Sequence, residues 1–138
     1  MKGRADRDYS GRSLFEKLGI FSAAHVALVG QHDEAFVIGL NEGLAKGASQ
    51  ALRTEYDIIF VRLDAPRDLA RIERAARHLR SNGALWVFHP KGRAASPTDA
   101  QVRAEGIAAG LVDNKISAYT ESHTATRFVI PVARRASR

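Results

Sequence analysis

Seven residues combine types and positions suited to chemistry: Gly30, His32 and Asp33 in "VGQHDEAF", Asp64 in "RLDAP", and His89, Lys91 and Arg93 in "FHPKGR". Each group directly follows an apolar run. The imidazoles and carboxylates are potential proton carriers, and the two cations are a potential anion site. The same residues also have simple structural uses, because Asp33 and Asp64 suit helix N-caps and His89 suits a satisfied loop position. Metal binding is not expected, since His32 and Asp33 are adjacent and no H-x-x-x-H spacing places two ligands on one helix face. Cysteine is absent and no serine stands on a strand-to-helix elbow, so no nucleophile and no catalytic residue are assigned.

The loop after the first apolar run bears on cofactors. A dinucleotide loop repeats glycine so that backbone can approach a pyrophosphate without Cβ clashes. Gly30 keeps one such position, whereas Gln31, His32, Asp33 and Glu34 bring side chains and two negative charges. Those acids suit the positive end of a following helix and repel a phosphate there. S-adenosylmethionine carries no phosphate, so for that molecule the missing glycines weigh more than the charge. The expectation is no cofactor.

These groups must be placed by the elements around them. "SLFEKLGI" reads as a short helix capped by Ser13. Strands are expected near 25–30, 57–62 and 84–89, with a helix over about 33–46 between the first two. Residues 48–55 offer at best a short edge strand. "APRDLARIERAARHLRSNG" has the clearest helical pattern, with Leu69, Ile72, Ala76 and Leu79 as its inward stripe and Gly83 beyond its end. Its outer stripe of Arg67, Arg71, Arg74 and His78 reads as a solvated face, an anion or partner surface being the less favoured use. Ser96 is the expected N-cap of a helix to about Ala109, with Pro97 in its first position. The C-terminal part changes to period two, giving strands over 112–120 and 125–132. Strand–helix alternation requires a mostly parallel sheet between helical layers, closed by an antiparallel hairpin. The candidate residues then share the carboxyl edge, where open α/β sheets bind ligands.

With 138 residues the chain suits one domain able to bury roughly 70% of its unfolded surface. The net charge of +6 is concentrated at the ends. Residues 1–12 hold four basic groups and two acids, and residues 134–138 hold three more basic groups, which leaves 13–133 at +1. The organisation read from this is a basic N-terminal segment over 1–12, an α/β domain over 13–133, and a basic tail over 134–138. The ends are suited to weak polyanion binding. No apolar run approaches the ~20 residues of a membrane span, and the N-terminus lacks a signal-peptide core, so a cytoplasmic location without membrane contact is expected.

Trp86, Pro90-Lys91, Thr98-Asp99, Arg103, Gly110-Leu111-Val112-Asp113 and Lys115, set between about Leu14 and Val129, resemble a small bacterial family of unassigned function. Its members are similar to trimmed methyltransferase-type Rossmann domains. Where that family tends to carry a Trp-Ser pair, this chain has His123-Thr124, which removes any role of that Trp here. The resemblance implies a three-layer Rossmann-like α/β fold and no particular activity. The favoured function is a non-catalytic binding or regulatory module whose partner is a small anionic ligand. The alternative is a small-molecule transferase using S-adenosylmethionine in a degenerate pocket. A homodimer remains compatible with either.

Overall fold

The computed structural model describes residues 15–135. Ser13 and the whole basic N-terminal segment over 1–12 therefore lie outside the described residues. One helical turn, α1 (15–18), precedes a six-stranded sheet: β1 (Val26–Val29), β2 (Ala48–Ser49), β3 (Tyr56–Arg62), β4 (Leu79–Pro90), β5 (Val112–Ala118) and β6 (His123–Val129). The strand order is β2-β1-β3-β4-β6-β5. The first four strands run parallel, and β6 pairs antiparallel with both β4 and β5. The expected parallel core and closing hairpin are both present.

Strand alternation divides the core into two layers. Ile58, Phe60, Trp86 and Phe88 pack with Phe36 and Leu40 of α2 (Glu34–Gly43) and with Leu18. Ile59, Val61, Leu85 and Val87 pack on the other face with Ile72 and Ala75 of α3 (Ala70–Ala76) and Val102 of α4 (Asp99–Ala108). Because helices cover both faces, Ile58–Val61 of β3 and Ala84–Phe88 of β4 are continuous apolar runs. Trp86 is fully buried, and its indole N–H donates to Leu18 O at 2.9 Å, which pins α1 to the sheet. Among the described residues no helix is long and apolar enough to cross a membrane.

Several boundaries differ from the sequence reading: the strand expected over 84–89 begins at Leu79, the one expected over 125–132 ends at Val129, and two helices start or stop elsewhere. The long helix expected from Pro66 is a 3-10 turn (Pro66–Leu69) followed by α3, which stops at Ala76. Leu79 is buried as the stripe predicts, but it arrives there as the first residue of β4, paired with Tyr56. Tyr56 N donates to His78 O at 2.8 Å, so the sheet ladder takes a carbonyl the helix would otherwise use. The other helix concerned is α4. Its N-cap is Thr98, not Ser96, because Thr98 Oγ1 accepts from Gln101 N while Gln101 Oε1 accepts from Thr98 N.

The C-terminal end also gains structure. Arg134 and Arg135, read as tail residues, belong to the short helix α5 (Val132–Arg135). Arg134 donates to Gly110 O and Arg135 to Ile130 O, so these two cations are tied to the domain.

Candidate functional site

The loops after β1 and β3 meet at the carboxyl edge, and their charged groups bind one another. The Arg62 guanidinium, at the end of β3, lies between two carboxylates: Nη1 is 3.2 Å from Asp33 Oδ2, and Nε is 3.1 Å from Asp64 Oδ2. Tyr119 OH donates to Asp33 Oδ2 at 2.8 Å, and its ring stacks on Phe88 at 4.2 Å. His123 Nε2 donates to Leu63 O and to Asp64 Oδ1, the latter at 3.0 Å. The loops after β1 and β3 and the β5–β6 connection are thus joined through one guanidinium. Burial works to raise the Asp64 carboxyl, but the Arg62 hydrogen bond and charge outweigh it and hold the group below its ordinary 3.8. Burial, and then the hydrogen bond to ionised Asp33, push the Tyr119 hydroxyl well above its ordinary 10.0.

The candidate histidines are structural in their bonding. The Nε2–H of His32 donates to Val29 O at 3.1 Å and Phe60 O at 2.9 Å, bridging the ends of β1 and β3. Its Nδ1 is buried without a hydrogen-bond partner among the described residues, and burial holds the imidazole below its ordinary 6.5. His89 is buried, bonded through Nε2 to Thr126 Oγ1 at 2.8 Å, and also lowered by burial. Asp99 lies 3.5 Å from its Nδ1, with the carboxylate side chain 83% exposed. Lys91 and Arg93 are exposed in the loop before α4. That helix's capping box already satisfies donors which an anion beside those cations would use.

A cavity of about 1030 Å³ opens on the other side of Gly30. The β1–α2 loop (Gly30, Gln31, His32) forms one wall, the β2–β3 connection (Gln50, Ala51, Leu52) a second, and Arg71, Arg74 and His78 a third. Glu34 is the acidic residue in the lining. Of the seven sequence candidates, Gly30 and His32 line this space; Asp33 and Asp64 are held by Arg62, and His89, Lys91 and Arg93 are not in its walls. Three of the four residues of the outer stripe on the Pro66–His78 segment line it instead. That stripe was visible in sequence, but its role depends on the short 50–55 segment folding opposite it. Among the described residues no three metal-ligating side chains converge.

Gly30 has a specific local role here. Its φ is +93°, a region disfavoured for residues with a Cβ. A Cβ at this position would lie 2.7 Å from Arg71 Nη1 and 3.0 Å from Arg62 O. The Arg71 guanidinium occupies that space, donating to Arg62 O at 2.7 Å and pairing with Asp68 Oδ1 at 3.2 Å. Asp68 in turn accepts from Asp64 N and Ala65 N, fixing the turn after β3.

The fold can now be compared with solved structures. The magnesium protoporphyrin IX methyltransferase from Synechocystis PCC 6803, with SAM bound, superposes with a TM-score of 0.65 at 13% identity over 93% of this chain and 81% of that one. A calicheamicin-biosynthesis methyltransferase in its SAH-bound form gives 0.59 at 15% identity over 89% of this chain and 54% of that one. A putative methyltransferase from Thermoplasma acidophilum gives 0.51 at 10% identity, covering 81% and 70%. The fold is the methyltransferase-like Rossmann fold. At these identities the likeness concerns the fold alone, and the chain spans only about half of the calicheamicin enzyme. No protein-family model matches the chain, and no curated protein matches its sequence.

Proposed function

We propose that this domain is a non-catalytic binding module that holds a small anionic ligand in the cavity between the Gly30 loop and α3. The observation that carries the reading is the charge of the lining. Arg71, Arg74 and His78 face a space whose acidic lining residue is Glu34, while Asp33 and Asp64 are turned into the Arg62 network. Converging cationic donors in a partly enclosed site favour an anion, since charge-assisted hydrogen bonds strengthen as water is excluded.

The same lining disfavours the alternative, a transferase using S-adenosylmethionine. That molecule carries a sulfonium and an ammonium against one carboxylate, a net positive charge that the unpaired Arg74 disfavours. Both candidate aspartates are also paired with Arg62 rather than turned into the cavity. The alternative retains in its favour only the shared fold and a cavity beside Gly30.

The test is thermal unfolding of the parent and Arg74→Gln at matched ionic strength, in chloride, in inorganic phosphate and with S-adenosylmethionine. Phosphate at about 100 times its Kd stabilises by about 2.7 kcal/mol. The parent should gain a higher midpoint in phosphate, and Arg74→Gln should gain little. Stabilisation by micromolar S-adenosylmethionine, or an equal phosphate effect on both proteins, would refute the proposal.

A further inference from the structure

We propose that the ligand of this cavity is a nucleoside phosphorylated on the 2′ or 3′ oxygen of its ribose, with the ribose against Gln50 and His78 and the phosphate on Arg74. The inference rests on the anion-binding reading above and assigns the ligand class and its orientation.

The orientation follows from where uncommitted charge lies. Arg71, beside Gly30, is held by Arg62 O and by the carboxylate of Asp68. Its charge is largely balanced. Arg74 is exposed on the cavity side of α3, and among the described residues it makes no hydrogen bond or ion pair. His78 donates Nδ1–H to Thr54 O at 2.7 Å, which fixes its ring against the β2–β3 connection and leaves Nε2 as an acceptor for a ligand hydroxyl. The uncommitted cation of the wall is therefore Arg74, one turn further along α3 from Gly30 than Arg71.

That end is also where the topology places a sugar. β2 pairs parallel with β1, and Gln50 follows it directly, twenty residues after Gly30. In doubly wound sheets an acid at this position meets the ribose hydroxyls, and a nearby Arg accommodates a phosphate on the ribose. A carboxylate here would repel such a phosphate. Gln50 is neutral, and its amide can both donate to and accept from a hydroxyl or phosphoryl oxygen. In the rest of the connection, Ala51 to Glu55, Arg53 is basic and Glu55, next to β3, is the one acid. Leu52, which is partly buried in the lining, supplies apolar surface for a base. The opposite end, where a 5′-phosphate would meet the loop before α2, carries Asp33 as N-cap and Glu34 in the first turn.

The test is calorimetry on the full chain with 2′-AMP, 3′-AMP, 5′-AMP, adenosine and inorganic phosphate, each also against Arg74→Gln and Gln50→Glu. The expected result is that 2′-AMP or 3′-AMP binds at least tenfold more tightly than 5′-AMP, adenosine or phosphate. Arg74→Gln and Gln50→Glu should each remove tenfold or more of that affinity, with thermal unfolding in chloride confirming that both variants fold. Equal or tighter binding of 5′-AMP overturns the orientation. Phosphate binding that no nucleotide improves overturns the nucleoside assignment and leaves the anion-binding reading intact. If neither phosphate nor any nucleotide binds, both fall.

Discussion

Replacing Gly30 with Ala separates two explanations of a glycine after the first strand. A glycine kept only to let a ligand approach can take a methyl group with little effect on stability. In this fold the methyl group has nowhere to go. The +93° φ costs an Ala about 1–2 kcal/mol. The added Cβ would sit 3.0 Å from Arg62 O, which is backbone inside the sheet, and 2.7 Å from Arg71 Nη1, which can move. Arg71 must then give up its 2.7 Å bond to Arg62 O. A hydrogen bond from a charged group is worth about 1.5–3 kcal/mol, reduced to about 1–2 kcal/mol for a side chain that is partly exposed. Gly30→Ala should therefore lose about 2–4 kcal/mol. At about 4 °C per kcal/mol for a chain of this size, the unfolding midpoint falls by ~8–16 °C. Urea unfolding followed by Trp86 fluorescence measures the loss. A change below about 1 kcal/mol would show that Arg71 does not pack over Gly30 as described.

Trp86→Ala should cost ~3–5 kcal/mol, the range for large aromatic truncations in cores, whereas Trp86→Phe should lose chiefly the bond to Leu18 O, about 1 kcal/mol, by chemical denaturation. Tyr119→Phe should lose about 1 kcal/mol in the same assay, since it frees one acceptor site on Asp33 without opening a cavity. Stability should fall as pH drops below the ordinary histidine value of 6.5. Burial depresses the folded-state values of His32 and His89, so the unfolded chain takes up protons first. Unfolding midpoints between pH 8 and pH 5 should show this slope, and His89→Gln should flatten it; a stability that rises towards pH 5 would contradict the buried neutral histidines. Gly106→Ala should destabilise by several kcal/mol, because the new Cβ meets the buried Phe128 ring.

Strand positions were legible because burial on both faces leaves runs such as Ile58-Ile59-Phe60-Val61 without polar interruption. Helix limits were less so. Leu79 falls on the helical stripe and is buried, but periodicity does not reveal that the ladder with Tyr56 places it. The carboxyl edge was readable as a meeting place of loops, although Arg62, the group that joins them, stands inside the buried strand β3. The second partner of Asp33, Tyr119, follows β5, 86 residues along the chain from it. No local spacing connects these residues. The basic stripe of Arg71, Arg74 and His78 was plain in sequence, and its meaning changes only because the β2–β3 connection lies across from it. Charge on a helix is read as solvated unless something far along the chain encloses it.

The location of the anion is the claim on which the account turns, and amide chemical shifts during a pyrophosphate titration test it most directly. Cavity binding predicts saturable shifts at Gly30, Gln50 to Leu52 and Arg74, lost in Arg74→Gln. Shifts confined to Lys91–Ser96, in the loop before α4, would place the anion there and contradict the account.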